Sequence, residues 1–442
     1  MSDVAQYRIR GESAAQIAAS VERGIEQGGL RPGDALPAVR ALASELGVSP
    51  TTVTAALADL RTRGLVVTRA RSGAHVSWRP PVAGPWLGPA VPTGARDLAS
   101  GNPDPRLLPS LKPFLRRLDP PRQLYGGEPV LPELAELAAA EFAEAGIASE
   151  EIAVVSGALD GIERALQARL RPGDLVAVED PGFAGLFDLL RALGLALRPV
   201  PVDAAGMVPA ALGEALAEGA AAVVLNPRGQ NPTGASLDPR RMRELGEVLD
   251  RAPQAMIVED DHLGPIAGAP RLTLTAGRAS WAAARSVAKS LGPDLRLAVL
   301  AGDPQTISRV RGRQAVGPQW VSQLLQRLVA TMWGEPKVSA ALARATETYA
   351  ERRQGLLAAL SERGIEARAP SGLNVWVPVP DETAVAQALL ERGWAVAAGG
   401  PFRLRSERAI RVTTSALRAG EAGRLAAALE ETLRPARRTR TA

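Results

Sequence analysis

Ile17, Val21 and Ile25 recur at helical spacing in QIAASVERGIE, and the pattern stops at Gly28-Gly29, which predicts a first helix ending there. LRPGDALPAVRALASELGVSPTTVTAALADLRTRGL then predicts a second helix beginning near Pro37, a turn at Gly47, and a third helix capped by Ser49 with Pro50 as its first residue. In that third helix Val53, Leu57 and Leu60 face inward. Thr51, Thr52 and Thr54 are left on the outer face, where short hydroxyl side chains can approach phosphates and bases. VVTRARSGAHV follows as a strand, a basic turn with glycine and a second strand, a wing hairpin carrying Arg69 and Arg71.

The segment 79–96, RPPVAGPWLGPAVPTGAR, has a proline density that opposes both helix and central strand, so it reads as an extended linker. Beyond it, apolar runs alternate with helical segments, the signature of an α/β domain with a mostly parallel sheet. A chain of 442 residues exceeds what one core usually organises. The expected division is a reader domain over 1–78, the linker over 79–96, a large domain over 97–433 with a small subdomain over about 340–433, and a basic tail over 434–442. Cysteine is absent, which removes disulfides, thiolate zinc sites and cysteine nucleophiles and fits a reducing cytoplasm. The two histidines, His75 and His262, stand too far apart to suggest a metal site, and none is expected. No run is long and uncharged enough to span a bilayer, and the first residues lack an apolar leader, so a cytoplasmic protein without membrane contact is expected. The net charge of +5 is spelled almost wholly in arginine. Lys112, Lys289 and Lys337 are the only lysines, so a lysine here stands where arginine would not serve.

Four motifs in the large domain make chemical sense together. VVSGALDGIERAL is a strand, a Ser-Gly turn and a helix, whose N-terminal N–H groups at Gly157 and Ala158 could cradle an anion. VAVEDPGF ends a buried strand in a proline turn and presents Phe183, an aromatic face able to stack on a flat ring. AAVVLNPRGQNPTGASL holds Asn231, able to donate to a phenolic oxygen, and QAMIVEDDH delivers Asp260 to a strand end, where it can keep a pyridine nitrogen protonated. WAAARSVAKSLGPDLRLAVLAG places Lys289 just past a strand with Ser286 on the same loop and Arg296 beyond. Schiff-base chemistry needs a primary amine that arginine cannot supply. An imine lysine, a pyridinium carboxylate, a phosphate cradle, a stacking ring and a donor to a ring oxygen are the groups pyridoxal 5'-phosphate requires.

LPAVRALASELGVSPTTV and the wing after it resemble the winged helix-turn-helix of the GntR family over nearly all of residues 10 to 78. That resemblance implies DNA contacts at Arg40, Ser49, Thr51, Thr52, Thr54, Arg71 and Gly73. Pro50 stands where the family often has arginine, so one base or phosphate contact is expected to be missing. The four motifs, with SGNPDP and LYGGEP, resemble the fold-type-I aminotransferases from about Asp97 to Leu433. The implied fold is an N-terminal winged helix-turn-helix, mainly α, plus an α/β transferase-like large domain and a small C-terminal α+β domain. The same resemblance implies that Tyr125 reaches the cofactor phosphate of a neighbouring subunit, that Arg411 holds the carboxylate of an amino-acid-like ligand, and hence a homodimer.

The fusion is similar to the MocR/GabR family of regulators over essentially the whole chain, and its wording is nearest a subgroup tied to vitamin B6 metabolism. This implies a transcription regulator without sustained turnover. Its effector would be pyridoxal phosphate, or the imine of the cofactor with an amine or amino acid, and its partner an operator with repeated half-sites on double-stranded DNA. The rival reading is an active aminotransferase with an accessory DNA-binding domain. His262 replaces the tyrosine common two residues after the carboxylate, and imidazole could supply that hydrogen bond to the cofactor or be a satisfied structural group. No basic residue follows Phe183, since Ala184 and Gly185 do, which disfavours γ-aminobutyrate as the ligand.

Overall fold

A computed structural model describes residues 7–31, 33–62, 64–69, 73–76, 91–119, 121–122, 124–147 and 151–434. Arg71, most of the proline-rich linker and the basic tail from residue 435 lie outside the described residues.

In the reader domain three helices, α1 (Ala14–Glu26), α2 (Val39–Leu46) and α3 (Pro50–Thr62), precede an antiparallel hairpin of β1 (Val66–Arg69) and β2 (Gly73–Val76). Ser13 caps α1 by accepting from the Gln16 amide, and Gly47 ends α2 in the left-handed conformation that glycine adopts without strain. The second helix starts at Val39, later than the proline near which sequence places it. Ala35 bridges His75 and the Leu36 amide donates to the Ala74 carbonyl, so this stretch is extended against the wing before the helix can begin. Ile17, Val21, Leu42, Val53, Leu57, Leu60, Val66 and Val76 form one buried core. The apolar stripes read from the sequence therefore meet, and the wing is tied into the same core.

The remaining strands are β3 (Arg96–Leu98), β4 (Ile152–Val155), β5 (Leu175–Asp180), β6 (Ala196–Asp203), β7 (Gly206–Met207), β8 (Ala222–Leu225), β9 (Met256–Asp261), β10 (Trp281–Ser286), β11 (Ala298–Gly302), β12 (Asn374–Pro378), β13 (Trp394–Ala398) and β14 (Ala409–Thr413). Eight of them form one sheet in the order β4-β11-β10-β9-β8-β5-β6-β7. The run β5-β8-β9-β10 is parallel and β11 is antiparallel to both its neighbours. Parallel strands of this kind are buried on both faces, which explains the uninterrupted apolar spelling of AVVL in β8; the antiparallel edge strand β4, IAVV, is buried at every position as well.

A second sheet, β12-β14-β13-β3, makes the smaller layer. Its core joins Leu98, Val375, Val377, Val396, Ile410 and Val412 to Leu356 and Leu360 of the long helix Pro336–Ser361. The first strand after the linker thus pairs in parallel with β13, roughly the whole large domain away in sequence. Parallel pairing of that range carries no local sequence signal.

Candidate functional site

The register of the sheet brings the ends of three strands together. Ser286, the last residue of β10, pairs with Ala298, and Ala298 pairs with Val155 at the end of β4. Beyond Val155 come Ser156 and Gly157, the latter at φ 100° as the N-cap of the helix Ala158–Arg169, so that helix's free N–H groups open at the same edge. Just before Ala298, Arg296 adopts a left-handed backbone at φ 42° and its Nη2 donates to the Ser156 carbonyl at 3.2 Å. A Cβ on Gly157 would stand 3.0 Å from that guanidinium nitrogen, which is why glycine is needed there. Gly157, Ala158, Ser286 and Arg296 are the four groups sequence proposes as a phosphate cradle, and three strand ends converge on them. Ser286 closes the strand itself, where sequence puts it on the following loop.

Lys289 lies in the turn beyond β10, and its Nζ donates to the Gly101 carbonyl at 2.7 Å. Burial, helped by the nearby Arg411 charge, draws its amine down from the usual lysine range to about 8. Gly101, at φ 69°, presents its bare Cα side to the Arg411 guanidinium, which a Cβ would approach to 3.3 Å. Arg411 on β14 is only 2% exposed. Its Nη1 donates to Asn231 Oδ1 at 3.0 Å, its Nη2 donates to the Ala99 carbonyl, and its guanidinium lies 4.4 Å from the Phe402 ring centre. Nε has no hydrogen-bond partner. A buried guanidinium held only by neutral acceptors is drawn down to about 10 by burial, the state an anionic ligand would relieve.

Asp260 stands near the C-terminal end of β9 opposite Ala284 of β10. Its Oδ1 is buried without a hydrogen-bond partner, and burial raises its carboxyl pKa. An orphaned buried carboxylate oxygen suits a protonated ring nitrogen. Asn226 reaches this segment from β8's end: its Nδ2 is 2.8 Å from the Asp260 carbonyl and 3.1 Å from His262 Nδ1. Phe183 follows the cis Asp180-Pro181 peptide and is half-buried. Asp180 fixes that turn by accepting from the amides of Leu404, Arg405 and Ser406 at 2.7 to 2.9 Å and from the Ser406 hydroxyl at 2.8 Å. Tyr125 is 84% exposed and meets Trp320 edge-on at 5.7 Å.

In the reader domain, Ser49 Oγ accepts from the Thr52 amide at 3.1 Å and lies 2.8 Å from the Thr52 hydroxyl, while Thr54 Oγ1 donates back to the Pro50 carbonyl at 2.9 Å. Thr51, Thr54 and Arg40 are exposed, and Gly73 opens β2 at φ 82°. Ser49 thus caps α3, as sequence expects. Among the described residues no cluster of three or more metal-ligating side chains occurs, and no helix is long and apolar enough to cross a membrane.

Sequence reasoning did not single out Asn226, Gly101, Glu179 or Phe402. Asn226 opens the NPRGQNPTG loop and carried the only signal, a polar side chain directly closing a buried strand. Glu179 is wholly buried next to it: it accepts from the Asn226 amide at 3.2 Å, its Oε1 is unpartnered, and burial pushes its carboxyl up to about 8.

An open sheet with a glycine turn before a helix N-terminus, a half-buried lysine and an orphaned carboxylate at its strand ends fits a pyridoxal-phosphate fold, here joined to a DNA reader. The model for aminotransferases of class I and II matches residues 95–429, and that for bacterial regulatory proteins of the gntR family matches residues 13–76. The vitamin B6 salvage pathway transcriptional repressor PtsJ of Salmonella typhimurium is 42% identical over 429 residues, covering 96% of this chain and 99% of that protein. The regulator TauR of Rhodobacter capsulatus is 29% identical over 416 residues, 81% of this chain and 82% of its own. Among solved structures, LysN, an α-aminoadipate aminotransferase of Thermus thermophilus complexed with N-(5'-phosphopyridoxyl)-L-leucine, superposes with a TM-score of 0.68 at 24% identity, over 77% of this chain and 92% of that one. An archaeal alanine:glyoxylate aminotransferase gives 0.70 at 24% identity over 76% and 90%; at this identity both show the fold alone. The chain belongs to the aminotransferase class I and II family and, over its length, to the regulators of PtsJ type in which that domain is fused to a gntR-family reader. It is a DNA-binding transcription regulator, and pyridoxal phosphate is its cofactor.

Proposed function

We propose that this chain is a homodimeric, cytoplasmic repressor of genes for vitamin B6 supply, with pyridoxal phosphate, alone or joined to an amine, as the signal. The observation that carries this reading is Lys289: one of three lysines in the chain, it is half-buried just past a strand of the same sheet that carries the orphaned Asp260 carboxylate, on a chain that also has a capped reader helix. The bound cofactor would supply an aldehyde able to link covalently to a primary amine and a ring that withdraws electrons. Lys289 provides the amine, and its lowered pKa leaves a far larger unprotonated share near neutral pH than an ordinary lysine has. Asp260 holds the ring nitrogen protonated, Asn231 and His262 bind the ring oxygen, Phe183 stacks on the ring, and Gly157, Ala158, Ser286 and Arg296 hold the phosphate. Tyr125 of a second copy completes that cradle, consistent with its exposure in the single chain. Arg411 takes the carboxylate of an amino-acid ligand, which fits its unpartnered Nε.

On the reader, Ser49, Thr51, Thr52 and Thr54 approach base edges and phosphates, and Arg40 and Gly73 with Arg71 of the wing approach the backbone. Two readers take two half-sites. Cofactor occupancy can alter operator affinity only if the two reader arrangements bind it unequally. The test is the absorbance of purified protein and of Lys289→Ala, beside binding of both to the DNA upstream of the chain's own gene with and without pyridoxal phosphate. A visible band lost in the variant, together with cofactor-dependent DNA binding in the wild type alone, is expected. Sustained keto-acid release from added amino acids would instead favour the aminotransferase reading, and no band at all would remove the cofactor site.

A further inference from the structure

His262 is the point at which the site's donors and acceptors are set by its neighbours, and the hydrogen-bond logic around it closes without the cofactor. Asn226 is buried, with its Nδ2 2.8 Å from the main-chain oxygen of Asp260 and 3.1 Å from His262 Nδ1. A peptide carbonyl only accepts, so the end of the Asn226 amide that faces it is the NH2 group and not the oxygen. That group has two hydrogens and no lone pair to offer, so the imidazole nitrogen it also faces must accept. Nδ1 then carries the lone pair and the proton of the neutral ring sits on Nε2.

We propose that Asn226 is a positioning residue that locks His262 in its Nε2–H tautomer, so that the ring serves the cofactor site purely as a hydrogen-bond donor and not as a base. This deepens the pyridoxal-phosphate reading and rests on it only for what the donor faces. With Nδ1 occupied by Asn226 and Nε2 carrying the proton, the ring has no free lone pair with which to take a proton from a ligand. A phenol at this position would both donate and accept. The groups around the ring act in both directions: the Asp260 carboxylate, whose Oδ2 is 3.8 Å from Nδ1, Asp261 and the Asp260 main-chain carbonyl favour a second proton, while burial and the Lys289 amine oppose it. Burial is the largest of these and the imidazole pKa is lowered overall, which keeps the ring neutral.

The test exploits the chain's two histidines. Full-length protein carrying histidine labelled with 13C in the ring gives two sets of ring signals, and the set lost in His262→Gln is assigned to His262. The 13Cδ2 shift separates the two neutral tautomers and the cation. The expected result is the Nε2–H value for His262, constant across about pH 6 to 8. Asn226→Asp, which replaces the donor by an acceptor of the same shape, should move it to the Nδ1–H or cationic value, and Asn226→Leu should give a mixed, pH-dependent shift. An Nδ1–H value in the wild type, or a wild-type shift that titrates in this range, overturns the proposal even if neither variant folds. So does an Nε2–H shift that both folded variants keep. The spectra are recorded before and after saturation with pyridoxal phosphate. No change in the His262 signals and no visible band on addition would refute the cofactor site, whereas the tautomer is decided by the spectrum taken before it.

Discussion

Replacing Asp261 by Asn should destabilise the large domain by about 3–5 kcal/mol, because it removes the carboxylate from a buried charge pair and leaves the cations behind. Asp261 accepts from Arg228 Nε at 3.0 Å and Nη2 at 2.7 Å in bidentate geometry, with the two side chains only 8% and 4% exposed. Arg285 lies 3.4 Å from the same carboxylate and keeps only the more distant Glu141 carboxylate at 3.9 Å, so Arg228 loses its charged partner and Arg285 the nearer of two. Asparagine can still accept one bond from Arg228, which places the expected cost toward the lower end of that range. The assay is urea unfolding of the full chain followed by tryptophan fluorescence. Trp281, Trp320, Trp333, Trp376 and Trp394 report on the large domain, and no tryptophan lies within residues 7–76. With a slope of about 3 kcal/mol per molar, the midpoint should fall by on the order of 1 M. Arg228→Met combined with Asp261→Leu should cost less than the sum of the two single changes by about 2 kcal/mol. The sign with pH follows from the site: burial raises the Asp261 carboxyl, but the charges of Arg228 and Arg285 outweigh it and hold the pKa below the ordinary value. The pair therefore stabilises fully above the unfolded-state value of about 4 and fails as pH falls through the lower folded value. A midpoint shift under about 0.3 M for Asp261→Asn, or strict additivity of the two single changes, would refute the reasoning.

Gly157→Ala should weaken pyridoxal-phosphate binding by on the order of tenfold or more in an absorbance titration, because it forces a side chain onto a φ of 100° and a contact of 3.0 Å with Arg296. DNA binding without cofactor should be unaffected by that change. Ser49→Ala removes the α3 cap bonded at 3.1 Å to the Thr52 amide and should cost the reader domain about 1 kcal/mol, read by thermal unfolding, with operator affinity falling in gel shifts. Glu179, pushed by burial up to about 8, is stable as the neutral acid. Its favourable contribution is present below the unfolded-state value of about 4.3 and is lost as pH rises through the folded one, so Glu179→Gln should lose less stability than wild type between about pH 4 and 8. Equal losses in urea midpoints would contradict that.

The parts of the fold that could be read from the sequence are those whose signal is local. Ser49-Pro50 writes a cap and a first helical residue side by side, and the stripe Val53, Leu57, Leu60 needs no partner to be recognised. The glycine turn that opens the helix Ala158–Arg169 was legible for the same reason, since a glycine before a helix announces itself at Gly157. Scarcity exposed Lys289, one of three lysines in an arginine-rich chain. Sequence alone could not show that Gly101 would lie between Lys289 and Arg411, or that Asn226 would close on His262. Those meetings join segments 188 and 36 residues apart, and are set by sheet register and not by any local preference. Nothing local in the sequence sets Arg228 and Arg285 apart from the chain's other arginines, and only the fold shows that both reach Asp261.

The juxtaposition at Gly101 has a consequence for how the site would sense its ligand. Lys289 donates to the Gly101 carbonyl at 2.7 Å while the Arg411 guanidinium lies against the Cα side of the same residue. Burial is the main reason the lysine amine falls to about 8, and the Arg411 charge adds to it. An anion seated on Arg411 would cancel that second contribution, raise the Lys289 pKa and so favour the protonated amine, disengaged from covalent attachment. Under the role proposed for Arg411, ligand carboxylate and lysine reactivity would be linked through one residue's surroundings, which is the differential interaction a switch requires. Arg411→Gln isolates the effect. Without the cation, the pH midpoint for capture of pyridoxal phosphate by Lys289, followed as growth of the visible band in a stopped-flow series, should move upward from about 8, and added amino acids should no longer shift it. A midpoint that stays or falls would mean that burial alone sets the lysine and that Arg411 carries no signal to it.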